Sequence, residues 1–145
     1  MPGITAALAA SADLKRSLTR RGVSRSVAFV TPRIGEGEDV ADWVDAAAAA
    51  DTVAIYMGAG DADAVAGALI ARGRAASTPV ALVENASRAD RRVTSGTLAM
   101  LPALAAMRGN GPALIVAGEV MRGVASNVDA DADGEIEDGR RYAAR

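Results

Sequence analysis

Cysteine and histidine are both absent from this 145-residue chain. The missing cysteine excludes disulfides, thiolate nucleophiles and thiolate-ligated zinc or iron–sulfur sites. The missing histidine removes the usual general base and the commonest transition-metal ligand. We therefore expect no metal site. Aromatic residues are scarce, with one Trp, two Tyr and one Phe, so the core must be built from Ala, Val, Leu and Ile.

Long apolar runs are missing as well. No stretch approaches the roughly 20 apolar residues that cross a bilayer, and Met1–Thr5 lacks the basic segment that begins a signal peptide. These features predict a cytoplasmic protein with no membrane partner. The net charge of −2 favours no particular polyanion. Because aromatic side chains for base stacking are few and no nucleic-acid module is recognisable, we expect no nucleic-acid partner.

Helical and strand patterns alternate along the chain. Helices are predicted at 5–16, 39–50, 61–72 and from Thr97 onwards, and strands at 26–31, 52–57, 79–84, 91–95 and 113–117. The strands are short and apolar, which is typical of strands buried on both faces. The pattern predicts an α/β fold formed by a single domain over residues 1–124, with a mostly buried sheet flanked by helices.

The composition changes in residues 125–145, where six acidic residues stand against three arginines. Low hydrophobicity and high charge predict a disordered acidic tail. The stretch Asp129–Glu137 matches most of a calcium-loop pattern, but its twelfth position, which should be Glu, is Arg140. A solvated tail is therefore favoured over a calcium site.

Gly58-Ala59-Gly60 follows a strand and precedes a helix, as in a dinucleotide-binding turn. The third glycine of that pattern is missing, since Asp63 stands in its place, and Asp61 and Asp63 would repel a pyrophosphate. The sequence favours a plain glycine turn with Asp61 capping the helix.

Glu84 ends a buried strand, at a place where α/β folds bind ligands. Two interpretations stay open. Burial could raise the pKa of its carboxyl group, or the carboxylate could accept hydrogen bonds from nearby backbone amides.

A cationic segment runs from Lys15 to Arg33 without any acidic residue. It is either a solvated surface or a rim that binds a polyanion, because guanidinium groups pair with carboxylates in a bidentate manner.

Several motifs occur in the order found in one enzyme family. They are Pro2–Ala7, Leu18–Val23, Tyr56–Gly58, Val83–Ser87, Arg92–Leu98 and Pro112–Val120. Together they resemble the C-terminal domain of uroporphyrinogen-III C-methyltransferases, in the tetrapyrrole methylase family, over residues 2–122. The resemblance implies a mixed five-stranded sheet, like the second domain of that family, and a homodimer.

The resemblance also implies a cofactor, S-adenosyl-L-methionine, and a substrate, uroporphyrinogen III. By this resemblance Thr5, Ala6, Met57 and Ala86 would contact the cofactor, largely through backbone groups. The side chains of Arg20, Arg21 and Arg25 would meet carboxylates of the substrate. The reaction would form precorrin-2, a precursor of siroheme and cobalamin.

No catalytic residue is predicted in this chain. The family's glycine-rich cofactor loop and its proposed catalytic groups lie in an N-terminal domain that has no counterpart here. We therefore expect the second domain alone, as an excised fragment or a truncated product that folds but is inactive. The alternatives are a non-catalytic dimerisation or interaction module and a small anion-binding protein that uses the cationic segment.

Overall fold

Helices and strands alternate through the computed structural model, which describes residues 3–33 and 41–127. The strands are β1 (Val27–Val30), β2 (Thr52–Tyr56), β3 (Pro79–Glu84), β4 (Arg92–Thr97) and β5 (Ala113–Ala117). The helices are α1 (Ala6–Asp13), α2 (Ala41–Ala49), α3 (Ala62–Ala71) and α4 (Leu101–Ala106). Short 3₁₀ turns cover Ala59–Asp61, Leu98–Met100 and Glu119–Met121.

The five strands form one mixed sheet in the order β1-β2-β5-β3-β4. β1 is parallel to β2, whereas the pairs β2/β5, β5/β3 and β3/β4 are antiparallel. Consequently β1, β2 and β3 end at one edge of the sheet, where β4 and β5 begin. We call this the site edge and its counterpart the opposite edge. The predicted α/β fold with a mixed five-stranded sheet is confirmed.

One face of the sheet is covered by α2, α3 and α4. Alternate strand residues such as Ile55, Leu82 and Ile115 point to this face and are fully or almost fully buried. They pack against Leu69 of α3 and Leu104 of α4. This is the larger part of the core, and it contains aliphatic side chains almost throughout, as the scarcity of aromatics requires.

The other face is covered more lightly. Ala7 and Ala10 of α1 are fully buried against it, next to Val83 and Val116. Small alanine side chains let the helix backbone approach the sheet closely. α1 is thereby fixed across the strands with its first turn near the site edge, as its contacts with Tyr56 show.

Two helix ends differ from the sequence prediction. α1 ends at Asp13 and not at Arg16, because Lys15 adopts a left-handed conformation with φ 50°, which a helix cannot continue. Thr97 does not begin an α-helix; it takes the N-cap position of a 3₁₀ turn and makes no side-chain cap bond. It is the last residue of β4, and a 3₁₀ turn separates it from α4, which has Pro102 in its first turn.

Hydrogen bonds to the sheet continue past the predicted boundary at residue 124. The Asn127 amide donates to the Val93 carbonyl (2.9 Å), and the Ser95 amide donates to the Ser126 hydroxyl (2.9 Å). Residues 124–127 therefore run along the outer edge of β4. The rest of the predicted acidic tail, including the calcium-like stretch, lies outside the described residues.

None of the helices in the described ranges is both long enough and apolar enough to cross a membrane.

Candidate functional site

A small apolar cavity of about 140 Å³ lies at the site edge. Its walls come from three separate parts of the chain: the start of α1, the end of β3 with the loop that follows it, and the start of β5. The lining residues are Ala6, Val83, Asn85, Ala86, Arg88, Pro112, Ala113 and Leu114. A concave, mostly apolar surface with few polar groups is typical of part of a small-molecule site.

The hydroxyl of Tyr56 holds the first turn of α1 at this edge. It accepts a hydrogen bond from the Ala7 amide (3.2 Å) and is also hydrogen-bonded to the Thr5 hydroxyl. Thr5 occupies the N-cap position, yet its side chain makes no cap hydrogen bond. The threonine hydroxyl is directed to β2, so it ties the helix start to the sheet.

Backbone strain is concentrated at the same edge. Met57, Asn85 and Ser87 have positive φ values of 55°, 51° and 62°. All three lie just beyond the ends of β2 or β3. Asparagine tolerates this conformation, whereas methionine and serine adopt it less readily. Such strain accumulates at ligand sites, where the surrounding structure holds it in place. Ala86 lies between two of these residues and does not itself have a positive φ.

The structure brings the predicted cofactor-contacting residues to one edge. Ala6 and Ala86 line the cavity together. Thr5 is next to Ala6 and bonds to Tyr56, and Met57 follows Tyr56 directly, with 56% of its side chain exposed. These four residues, from three separate segments of the chain, therefore lie at one edge of the sheet.

The predicted substrate arginines lie at the opposite edge. Arg20 and Ser24 form a backbone bridge, and the Ser24 hydroxyl is 2.8 Å from the Thr52 hydroxyl at the start of β2. Arg25 precedes β1, and its amide donates to the Asp51 carboxylate (2.8 Å). A five-residue strand spans roughly 16 Å. Arg20, Arg21 and Arg25 are thus separated from the cavity by about the length of a strand.

Asp51 organises that opposite edge. Its carboxylate accepts hydrogen bonds from the Arg25 amide and from both the amide and hydroxyl of Ser26. The Arg25 backbone bond, followed by the Ser26 hydroxyl bond, lowers the pKa of Asp51 below its usual value. The carboxylate joins the starts of β1 and β2 and is a structural clip.

Glu84 makes the second of its two predicted interactions, in which the carboxylate accepts a hydrogen bond from a nearby backbone amide. Its side chain is buried, with 3% exposed, and its Oε1 atom accepts a hydrogen bond from the Gly109 amide (2.8 Å). Glu84 therefore fixes the loop between α4 and β5, whose far end, Pro112, lines the cavity.

The Gly58-Ala59-Gly60 turn is a packing feature, as the sequence favoured. A Cβ atom on Gly58 would lie 2.9 Å from the Ile55 side chain, so glycine is needed for the close approach. Asp61 takes the N-cap position of α3 but makes no side-chain cap bond, which corrects the predicted cap.

Several site residues escaped the sequence prediction. Pro112, Ala113, Leu114 and Val83 line the cavity, and Tyr56 holds α1. All of them lie inside or beside the blocks that carried the family resemblance, which was the available signal. Within the described ranges no group of three or more carboxylates is placed to hold a metal ion.

Comparison with known proteins identifies the family of this arrangement. A model of the tetrapyrrole (corrin/porphyrin) methylases matches residues 1–102. Siroheme synthase 1 of Serratia proteamaculans is 46% identical over 121 residues, which is 83% of this chain and 25% of that protein. Siroheme synthase of Pseudomonas putida is 42% identical over 123 residues, 84% of this chain and 27% of that protein. The chain thus spans about a quarter of the curated relatives it matches.

Solved structures give the same result for the fold. The uroporphyrin-III C-methyltransferase of Thermus thermophilus complexed with S-adenyl homocysteine superposes with a TM-score of 0.69 at 30% identity, over 84% of this chain and 52% of that one. A cobalamin biosynthetic enzyme, cobalt precorrin-4 methyltransferase, gives 0.71 at 25% identity, over 83% and 51%. The resemblance predicted from the sequence is confirmed: the chain belongs to the tetrapyrrole methylase family.

Proposed function

We propose that this chain forms the C-terminal, cofactor-facing half of an S-adenosyl-L-methionine-dependent uroporphyrinogen-III C-methyltransferase. The observation that carries the proposal is the apolar cavity shared by Ala6, Ala86 and Pro112 at the site edge. It is supported by the Thermus relative, which was solved with S-adenyl homocysteine. That ligand has an adenosine group that suits a mostly apolar wall.

The size of the cavity favours a partial site. Complete small-molecule sites measure roughly 300–1,000 Å³, whereas this cavity measures about 140 Å³. The volume suits a planar heterocycle better than a whole cofactor. We therefore propose that the adenine ring occupies the cavity, with Thr5, Ala6, Met57 and Ala86 contacting the cofactor, and that the rest of the cofactor extends beyond this chain.

The chain is proposed to be inactive by itself. The charged groups beside the cavity are engaged with other parts of the protein, since Glu84 accepts the Gly109 amide hydrogen bond and Arg88 pairs with Asp90. Methyl transfer depends chiefly on positioning, because the cofactor supplies the leaving group. We propose that this chain positions the nucleoside, and that a domain outside it completes the site for uroporphyrinogen III on the route to siroheme and cobalamin.

Arg20, Arg21 and Arg25 remain proposed contacts for substrate carboxylates. Because they lie at the opposite edge, a substrate that met both them and the cofactor would have to extend along the sheet. Replacing Arg21 and Arg25 by Gln tests this in the complete enzyme. A rise in KM at unchanged kcat supports the contact, and unchanged kinetics contradict it.

Isothermal titration with S-adenosylhomocysteine tests the cofactor proposal. We expect Ala86→Leu, which fills the cavity, to weaken binding by about tenfold or more, since a bulky side chain would occupy the ring's place. The matched control is Ala89→Leu, an exposed position in the same loop, which should leave the affinity unchanged. Equal affinities for both variants and the wild type would refute the cavity as the binding site.

A methyl-transfer assay tests the inactivity. The purified chain, given S-adenosylmethionine and uroporphyrinogen III, should transfer no methyl group. Turnover by the chain alone would show that its own residues complete the site.

A non-catalytic interaction module is the second candidate, and exposed apolar side chains favour it. Phe29 on the outer strand β1 is 54% exposed and Leu8 on α1 is 52% exposed, both on the lightly covered face of the sheet. We propose that this face joins two copies of the chain. Sedimentation should show a dimer that Phe29→Ser converts to monomer without unfolding. A monomeric wild type would exclude this candidate.

A further inference from the structure

The loop between α4 and β5 is held from two sides by consecutive residues, Glu84 and Asn85. From one side, the buried Glu84 carboxylate accepts the Gly109 amide hydrogen bond at 2.8 Å. From the other side, the backbone amide of Asn85 donates a hydrogen bond to the Pro112 carbonyl at 3.0 Å. The loop therefore has an anchor at each end, and Pro112 and Ala113, which follow it, form one wall of the cavity.

The side chain of Asn85 also packs closely against Gly111, a contact that we call the interlock. A Cβ atom on Gly111 would lie 2.3 Å from Oδ1 of Asn85 and 2.8 Å from its Cγ and Nδ2 atoms. Gly111 does not have a positive φ, so the need for glycine here is steric and not conformational. Any larger residue must push the loop or the asparagine out of place.

Hydrogen bonds on the exposed side of the loop hold the Asn85 side chain against Gly111. Its Nδ2 atom donates to the Asp90 carboxylate at 3.0 Å, and Asp90 in turn accepts from the Arg88 guanidinium at 3.2 Å. Its backbone is in the left-handed region, with φ 51°, a conformation that asparagine tolerates. Where these hydrogen bonds hold the asparagine in place, we expect a substituent on Gly111 to move the loop and with it the Pro112 wall.

We propose that Glu84, Asn85 and Gly111 act as positioning residues that set the width of the nucleoside cavity. This inference rests on the proposed function for the identity of the ligand. None of the three needs to react with the cofactor. They act through the loop that carries Pro112. The contact between Asn85 and Gly111 holds that loop and thereby sets the distance between Ala86 and Pro112.

A rescue experiment with the full chain tests the interlock. Gly111→Ala should weaken S-adenosylhomocysteine binding by about tenfold, because the loop is displaced. Asn85→Gly keeps the left-handed backbone and removes the obstructing side chain, so the double variant Asn85→Gly/Gly111→Ala should bind within about threefold of Asn85→Gly alone. Wild-type affinity in Gly111→Ala, or a double variant no better than Gly111→Ala, would overturn the proposal.

Gly67→Ala is the matched control, because a Cβ atom there meets nothing within 4 Å; it should leave the affinity unchanged. Glu84→Gln retains an oxygen acceptor for the Gly109 amide, so this variant should bind the ligand with wild-type affinity. Glu84→Ala removes the acceptor and should bind the ligand more weakly than the wild type. Equal loss in both variants would contradict the positioning role.

Amide hydrogen exchange separates this inference from the function on which it rests. The amide of residue 85 should exchange faster in Gly111→Ala and regain protection in the double variant, with no ligand present. If the wild type fails to bind S-adenosylhomocysteine but this exchange pattern holds, the proposed function fails and the interlock stands. Unchanged protection in Gly111→Ala would overturn the interlock itself.

Discussion

Tyr56→Phe removes the hydroxyl that joins the first turn of α1 to the end of β2. The lost contacts are the hydrogen bond from the Ala7 amide, at 3.2 Å, and the bond with the Thr5 hydroxyl. A hydrogen bond between neutral groups contributes about 0.5–1.5 kcal/mol net. Because two such bonds are lost at a partly buried place, we expect the free energy of unfolding to fall by about 1–2 kcal/mol.

A double-mutant cycle distinguishes this bond from a general effect of substitution. Thr5→Val removes the partner hydroxyl at an N-cap position where that hydroxyl makes no cap bond. Groups in direct contact show coupling energies of about 0.5 kcal/mol or more. Urea unfolding of the wild type, both single variants and the double variant should therefore show non-additive losses. Strictly additive changes, or a Tyr56→Phe loss below about 0.3 kcal/mol, would refute the assigned contact.

Two further predictions concern stability. Gly118→Ala should lower the free energy of unfolding in urea by about 3–5 kcal/mol, because φ is 148° and a Cβ atom would lie 2.7 Å from the Asp51 carbonyl oxygen. Gly67→Ala in α3 should instead raise the free energy of unfolding by about 0.5–1 kcal/mol. Similar changes in the two variants would contradict this geometry. The wild type should be more stable than Asp51→Asn above the ordinary carboxyl pKa of about 3.9. This advantage should disappear as pH falls through the lowered pKa of folded Asp51. A stability difference that does not change between about pH 7 and about pH 2 would contradict the hydrogen-bonded role of the Asp51 carboxylate.

The strands were the most predictable part of the fold. β3 and β5 have the predicted bounds, and β2 differs by one residue. Each is an apolar run bounded by glycine, proline or a charged residue, so the local sequence is sufficient. Helix ends were less predictable. The end of α1 depends on the left-handed conformation of Lys15, a conformation that lysine rarely adopts and that its sequence context did not indicate.

The α/β pattern pointed to the end of β3 as a place for a ligand, but the grouping of Thr5, Ala6, Met57 and Ala86 was predictable only through the family resemblance. Periodicity places no residue of α1 beside β2, yet Thr5 and Tyr56 are 51 positions apart and in contact. The cavity wall at Pro112 depends on β5 pairing with β3, a long-range choice that local patterns do not determine. The same limitation applies to Arg20, Arg21 and Arg25, since composition revealed the cluster of charge but not the edge of the sheet on which it lies.

A titration of the ¹⁵N-labelled chain with S-adenosylhomocysteine, followed by amide chemical shifts, tests the central proposal most directly. The account predicts that the largest shifts occur at the site edge, at the amides of Ala6, Ala86 and Ala113. Shifts confined to the opposite edge, around Arg20 and Arg25, or no shifts at saturating ligand, would contradict a nucleoside site in the cavity.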